Sequence, residues 1–239
     1  MLTLDFERVE PIYEGKSKAV YPWPADPDLV MIRFKDDATA FNGEKHEVLP
    51  GKGGLNCEFN CVMMDLSFLI DHHMVARLTD DTILCRKVDI IPVEVVVRNK
   101  AAGSIVKRYR LEEGKPFPEP VIELFYKSDD LNDPLVGEDV AVKMHWCDSI
   151  DLMAMKQAAL AINAQLKAFW GSHNIDLVDF KLEFGLDKDG KLLLADEITP
   201  DGCRLWDRDT GESFDKDVFR FSRGSLLDRY TELMSRIKE

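Results

Sequence analysis

The sequence has no apolar run near the roughly 18 residues that a membrane-spanning helix needs. Its first eight residues include Asp5 and Glu7 and lack the hydrophobic stretch of a secretory leader. Basic residues are in deficit: 31 Lys and Arg against 44 Asp and Glu leave a formal net charge of −13. Such a surface repels a nucleic-acid backbone and argues against nucleic acid as a general partner. It does not exclude a small phosphorylated ligand held by a local cluster of Lys and Arg. No Cys-x-x-Cys and no His-Glu-x-x-His occurs. The five cysteines, at 57, 61, 85, 147 and 203, are odd in number and lack a second pair at zinc spacing. Reduced, mostly buried thiols in a cytoplasmic protein are expected. His72 and His73 point to different faces of any element and are assigned no role. Internal repeats and low-complexity tails are absent. What is present, 45% apolar and 31% charged residues over 239 positions, fits one large or two small globular domains with ample material for a core.

Residues 9–35 read as short strands broken by Pro22-Trp23-Pro24 and Asp26-Pro27, and residues 36–54, polar and glycine-rich, as a long ordered loop. A helix carrying Phe59, Met63, Leu66 and Ile70 follows, then strands at 74–78, 82–89 and 92–98. These form a β-dominated domain ending near residue 90. The remainder, 91–239, reads as α/β: a Pro-rich acidic connector at 112–136, and a helix over 150–170 with Asp148 at its start and Gly171 at its end. A hairpin and a C-terminal helix whose continuity Gly224 puts in question complete it.

The hairpin is the most informative feature. In Leu177-Val178-Asp179-Phe180-Lys181-Leu182-Glu183-Phe184-Gly185, Val178, Phe180, Leu182 and Phe184 share one strand face, and Asp179, Lys181 and Glu183 share the other. After the turn Asp187-Lys188-Asp189-Gly190, a two-residue loop would place Glu183 opposite Asp196. A four-residue loop would bring Lys181 there instead. Facing carboxylates repel unless a cation sits between them, and hard divalent ions such as Mg²⁺ take oxygen ligands and arrive with phosphates. A solvated face with a surface ion pair is the bland alternative.

Three further segments carry chemistry. Gly15-Lys16-Ser17-Lys18 resembles the end of a Walker A loop but has Glu10 where the first glycine belongs, and continues as a strand rather than a helix. A hairpin turn with two lysines can still lie over nucleotide phosphates. Arg98-Asn99-Lys100-Ala101-Ala102-Gly103-Ser104 is a basic loop at a strand exit, suited to a phosphate or carboxylate. Arg204, in the polar loop that runs from Asp196 to Asp207, stands beside the carboxylates.

Residues 90–104 and 177–185 resemble the two signature segments of the SAICAR synthetase family, the phosphoribosylaminoimidazole-succinocarboxamide synthases. Gly15-Lys16-Ser17-Lys18 resembles the family's nucleotide loop, and Asp196-Glu197 with Pro200-Asp201-Gly202-Cys203-Arg204-Leu205-Trp206-Asp207 resembles its substrate loop. Cys203 and Thr199 depart from the usual serines, and residues 41–54 are unfamiliar. The resemblance implies an ATP-dependent ligase of purine biosynthesis, joining carboxyaminoimidazole ribonucleotide (CAIR) to L-aspartate. It implies a two-lobed, ATP-grasp-like fold, with a β-rich small lobe (1–90) over a larger α/β lobe (91–239). Implied too are Mg²⁺, a homodimer or higher homo-oligomer, and site roles. Gly15, Lys16, Ser17, Lys18, Ile90, Ile91, Val93 and Lys127 would meet ATP, and Glu183 and Asp196 the metal. Arg98, Ser104 and Arg204 would bind CAIR, with Asp179, Lys181 and Asp201 near the reacting groups. A kinase-like phosphotransferase lacks its His-Arg-Asp and Asp-Phe-Gly motifs here, and a non-catalytic nucleotide-binding module would need no second anion site.

Overall fold

Short β-prone runs separated by glycine, proline and Asp-containing turns set the first half of the chain as antiparallel hairpins. The computed structural model describes residues 9–66 and 70–238, so the reading of residues 1–8 lies outside the described residues. The first elements are β1 (Tyr13–Glu14), β2 (Lys18–Pro22), β3 (Leu29–Phe34), β4 (Asp37–Ala40), β5 (Lys45–Val48), α1 (Lys52–Leu66), β6 (Met74–Arg77), β7 (Thr82–Arg86), β8 (Asp89–Ile90) and β9 (Val93–Lys100). There follow α2 (Ser104–Tyr109), β10 (Pro116–Tyr126), β11 (Leu135–Val136), α3 (Glu138–Lys143), α4 (Ser149–Ser172), β12 (Ile175–Leu186), β13 (Leu192–Ala195), β14 (Cys203–Asp207), α5 (Asp217–Arg220) and α6 (Leu226–Lys238).

Strands β1, β2, β3, β7 and β6 form one sheet in that order. A second sheet of seven strands runs β11-β10-β9-β12-β13, with β14 and β8 also pairing with β12. The ladders between these strands are antiparallel, so the fold is a mixed α and β structure of the α+β kind rather than one of parallel β-α-β units. The large core gathers β9, β12 and the buried stripe of α4, namely Leu152, Met155, Ile162, Leu166 and Trp170, together with α1 and α6. Each such side chain contributes about 1.5–3 kcal/mol on burial. A smaller cluster of Val30, Ile32, Phe34, Cys57, Ile83 and Cys85 joins β3 and β7 to α1. Among the described residues no helix is long and apolar enough to cross a membrane, and the five thiols are free.

The structure differs from the sequence reading in several elements, among them the polar loop from Asp196 to Asp207, whose residues Cys203–Asp207 form β14 against β12. Residues 36–54 are not a loop: β4 and β5 form a hairpin, and the glycine-rich segment opens α1. Gly53 belongs there because a Cβ would lie 2.5 Å from the Phe34 carbonyl oxygen, so only glycine lets the helix start pack on the end of β3. The supposed connector at 112–136 contains β10, whose register on β9 shifts between Pro116 and Val121. That irregularity accommodates Pro118 and Pro120, which have no N–H for a ladder. In α4 Asp148 does cap the start, its Oδ1 accepting from Asp151 N at 2.7 Å. The helix ends beyond Gly171, with Asn174 in the left-handed region (φ 60°) and the Gly171 carbonyl accepting from Arg208. Gly224 precedes α6, which is uninterrupted.

Candidate active site

One face of the large sheet is charged where its other face is packed. Alternation places Phe180, Leu182 and Phe184 of β12 in the large core, joined at the register shift between Leu177 and Asp179 by Leu177 and not by the expected Val178, which is buried outside that core. Asp179, Lys181 and Glu183 lie on the opposite face. That face is not the solvated surface of the bland reading, since Asp179 is 3% and Glu183 2% exposed. Registers of Asp179 with Arg98 and Lys181 with Val96 put Arg98 and Glu94 of β9 on the same face. Glu123 of β10, opposite Val96, joins them. Successive charges on β12 stand about 7 Å apart, two residues of strand rise.

The β12–β13 register corrects the expectation for the hairpin. Glu183 opposes Ala195, not Asp196, because the loop holds three residues, Lys188, Asp189 and Gly190, between the paired Asp187 and Lys191. Asp187 Oδ1 accepts from the Asp189 and Lys191 amides, and Gly190 takes φ 76°, the left-handed residue that such loops require. A regular strand would send Asp196 to the wrong face. Asp196 instead adopts φ 57°, uncommon for a non-glycine residue, and this turns its carboxylate onto the face of Glu183. His73, given no role from sequence, is buried with Nε2 3.0 Å from the Asp196 carbonyl oxygen, bracing that bend.

Three groups of ion pairs result. In the first, Lys18 bonds Asp196 and approaches Glu197 to 2.9 Å. Lys181 bonds Glu183, reaches Glu94 at 3.0 Å and Asp196 at 3.5 Å, and Lys127 bonds Glu183. Burial opposes ionisation of Asp196, but the ammonium groups of Lys18, Lys181 and Lys127 overcome it and hold the carboxyl well below the usual range. Burial likewise opposes charge on Lys181, and Glu183, Asp196 and Glu94 reverse it, keeping the ammonium protonated. Burial raises Glu94, with Lys181 opposing and Glu183 reinforcing the rise.

In the second group, Arg98, 3% exposed, donates to Glu123 at 2.6 Å, to Asp179, to the Ala102 carbonyl at 3.2 Å and to Ser104 Oγ at 3.3 Å. Arg204 Nη1 spans both oxygens of Asp179 at 3.1 and 2.9 Å, while its Nε donates to Asp217 at 2.9 Å. Gly103, at φ 64°, lies so close that a Cβ there would stand 2.7 Å from Arg204 Nη2. Arg98 is therefore in the strand, not the loop, and Ser104 opens α2.

Of the third group the sequence reading named Asp201 but not its partners. Asp201 accepts from Lys52 at 2.6 Å and from the Tyr230 hydroxyl at 2.6 Å, with Lys216 at 3.5 Å. Lys52 and Tyr230 are both fully buried. The glycines around Lys52 were the only local sign of it, and Tyr230 reads as one apolar position of α6.

The other expected residues are placed as follows. Gly15 closes the β1–β2 turn, its N–H donating to the Lys18 carbonyl at 2.9 Å. The Ser17 carbonyl accepts from Lys35 N at 2.8 Å. Lys16 pairs with Asp129 at 2.7 Å, while Lys18 joins Asp196 and Glu197. Ile90 is exposed, whereas Ile91 and Val93 belong to the large core, and the Ile91 amide donates to the Phe184 carbonyl at 2.9 Å. Glu94 and Glu197 are additions to the expected set. A lone acid in a Val-rich strand, and a second acid beside Asp196, were the available signals.

Beneath this face Asp215 is fully buried and accepts backbone N–H groups from Leu205 and Asp217, each at 2.8 Å. Burial, with the Asp217 charge, raises its pKa to about 6 from 3.8. Between those values the folded chain keeps a proton that the unfolded chain releases. Its stabilising share is thus fully present below the lower value and is lost as pH rises to about 6, by at most about 3 kcal/mol. Asp215→Asn loses an acceptor and melts below the parent at low pH, and the gap in Tm narrows as pH rises from about 4 to about 6. Thermal melts across that window check this, and a constant gap would contradict it.

A family model described as SAICAR synthetase matches residues 11–237. The chain is 47% identical over 234 residues to the phosphoribosylaminoimidazole-succinocarboxamide synthase of Chlorobium phaeobacteroides (strain BS1), covering 96% of this chain and 98% of that one. To the enzyme of that name from Anoxybacillus flavithermus (strain DSM 21510 / WK1) it is 48% identical over 228 residues, 95% of each chain. A solved SAICAR synthetase (Type-2) in complex with ADP superposes with a TM-score of 0.91 at 44% identity, covering 94% of this chain and 96% of that one. The phosphoribosylaminoimidazole-succinocarboxamide synthase of Ehrlichia chaffeensis superposes with a TM-score of 0.92 at 40% identity, covering 96% and 98%.

Proposed function

The chain belongs to the SAICAR synthetase family, ATP-dependent ligases that join CAIR to L-aspartate in purine biosynthesis, and we propose that the ion-pair groups along β12 divide that reaction among them. The activity itself follows from the membership: CAIR, L-aspartate and ATP give SAICAR, ADP and phosphate. The ADP complex of a structural relative at 44% identity supports the nucleotide as the ligand of this fold.

The division rests on one observation, that Asp196 is bent out of its strand to stand with Glu183 amid Lys18, Lys127 and Lys181. Phosphate oxygens of ATP would draw Lys18 and Lys127 away from these carboxylates, leaving oxygen ligands for a hard cation. Among the described residues no group of three or more His, Cys, Asp or Glu could hold a metal by itself. Two carboxylates completed by substrate phosphates are the donor set that Mg²⁺ commonly takes, so the residues fit. Bound there, Mg²⁺ would neutralise charge developing on the phosphoryl oxygens.

A carboxylate is a poor electrophile. In our reading the γ-phosphoryl group passes from ATP to the CAIR carboxylate, giving an acyl phosphate and ADP. The aspartate amine then attacks the carbonyl carbon, the C–O bond to phosphate breaks, and the nitrogen loses a proton. Lys181, fixed between Glu94 and Glu183, is placed to stabilise negative charge on the transferring group. Arg98, Ser104 and Arg204 hold the ribonucleotide phosphate, with Asp179 fixing both guanidinium planes. The turn at Gly15 to Lys18 covers the ATP phosphates, and the backbone at Ile90, Ile91 and Val93 borders the adenine. This makes the sheet of β1, β2, β3, β7 and β6, within residues 1–90, the cover of a two-lobed, ATP-grasp-like arrangement over 91–239. Free thiols and soluble nucleotide substrates suit the cytoplasm.

The test is ADP release with ATP, Mg²⁺ and CAIR, with and without L-aspartate. Aspartate-dependent release matched by SAICAR formation is expected. Release that ignores aspartate, with no amide product, would overturn the ligase reading.

A further inference from the structure

Asp196 keeps its carboxylate on the charged face because its backbone is bent, and the restraints on that bend come from outside its own strand. The pairing of β13 with β12 ends at Ala195, one residue short of it. A non-glycine residue stays at φ 57° only where its surroundings enforce the left-handed conformation. Two buried side chains do so. His73, 2% exposed, has Nε2 3.0 Å from the Asp196 carbonyl oxygen. A carbonyl only accepts, so that nitrogen carries the hydrogen and donates. Asn60, fully buried, accepts from the Ile198 amide through Oδ1 at 3.0 Å, two residues further along. The chain before the bend is tied as well. His73 N–H donates to the Leu194 carbonyl at 2.8 Å, and Leu194 N–H to the Asp71 carbonyl at 2.9 Å.

These restraints belong to the sheet that covers the site. The His73 carbonyl accepts from Arg86 N of β7 at 2.7 Å, and His73 directly precedes β6. Asn60 stands on α1, which packs on β3 and β7, and its Nδ2 lies 3.7 Å from Met74 Sδ. The sheet of β1, β2, β3, β7 and β6 therefore sets the aim of a carboxylate that projects from the other sheet. A regular continuation of β13 would carry that carboxylate away from Glu183. We propose that His73 and Asn60 are positioning residues for the ligase reaction, clamping the Asp196 carbonyl and the Ile198 amide so that the Asp196 carboxylate stands beside Glu183. Both act through the backbone, with no need to touch substrate. This rests on the reading of Asp196 as a metal carboxylate and adds what holds it in place.

The experiment uses the full-length enzyme, its His73→Leu and His73→Gln variants, steady-state kinetics, and calorimetric binding of ADP with and without Mg²⁺. His73→Leu removes the donor and leaves an apolar side chain of similar bulk. It is expected to lower kcat by about 10- to 100-fold, with the CAIR and aspartate KM values within about threefold of the parent. It is also expected to weaken ADP binding about 10-fold with Mg²⁺ present and less than about threefold without it, a split that a merely structural loss would not produce. His73→Gln, whose amide N–H can reach the same carbonyl, is expected to recover most of both losses. An unchanged kcat in His73→Leu would overturn the proposal, and so would ADP binding weakened equally with and without Mg²⁺. Should His73→Leu fail to fold, Asn60→Ala, which frees the Ile198 amide, is judged by the same two criteria. Failure of the metal reading would show separately, as an Asp196→Asn variant that keeps the parent's gain in ADP affinity from Mg²⁺.

Discussion

Asp196→Asn, or Glu183→Gln, is expected to lower kcat at least about 10³-fold while the protein still melts cooperatively. Both carboxylates lie on the charged face of the large sheet and neither packs in the core, so the changes are electrostatic. Each exchange keeps shape but removes a negative charge that Lys181 and a second lysine hold in place. Lys127 and Lys181 are 40% and 31% exposed, so water can take up the pairing lost in Glu183→Gln. Lys18, 15% exposed, keeps Glu197 at 2.9 Å when the Asp196 charge is lost, and stability should fall by about 1–3 kcal/mol. ADP formation at saturating substrates, alongside thermal melts, measures the two effects separately. Near-normal turnover in both variants would remove Glu183 and Asp196 from the reaction.

Arg204→Lys is expected to raise the CAIR KM by about 10- to 100-fold and to leave the ATP KM within about threefold. Arg204 meets two carboxylates at once, Asp179 through Nη1 and Asp217 through Nε, with the rest of its planar fork beside Gly103. Burial works against its charge and Asp179 and Asp217 more than restore it, so the guanidinium stays protonated at any working pH. A lysine supplies one compact ammonium, which cannot hold both acids and also offer two parallel donors to a phosphate. Each charge-assisted hydrogen bond lost accounts for about 1.5–3 kcal/mol, the scale of the expected shift. CAIR titrations at fixed ATP and aspartate give the answer, and an unchanged CAIR KM would take Arg204 out of that subsite.

The two variants act on different parts of one strand face, and they should be separable. A metal-carboxylate change acts on kcat, an arginine change on one KM. Finding the pattern reversed would exchange the roles of the first and second ion-pair groups while leaving the fold and the ligase activity untouched.

What the sequence determined by itself was whatever local periodicity controls. Alternation in β12 separates Phe180 and Leu182 from Asp179, Lys181 and Glu183 over adjacent residues, and the β-branched run of β9 carries Arg98 with it. The stripe of α4 and its Asp148 cap are also properties of neighbouring residues. Tertiary structure alone decided the rest. A three-residue loop moved the hairpin register by one position, and the positive φ of Asp196 returned its carboxylate to the right face. Packing against the Phe34 carbonyl turned a glycine-rich segment that read as loop into the start of α1, carrying Lys52 into the interior. Lys18 meets Asp196 across 178 positions of sequence, and Lys52 meets Asp201 across 149. No local pattern encodes such pairs, because the energy that joins them appears only after the sheets and helices between them have closed.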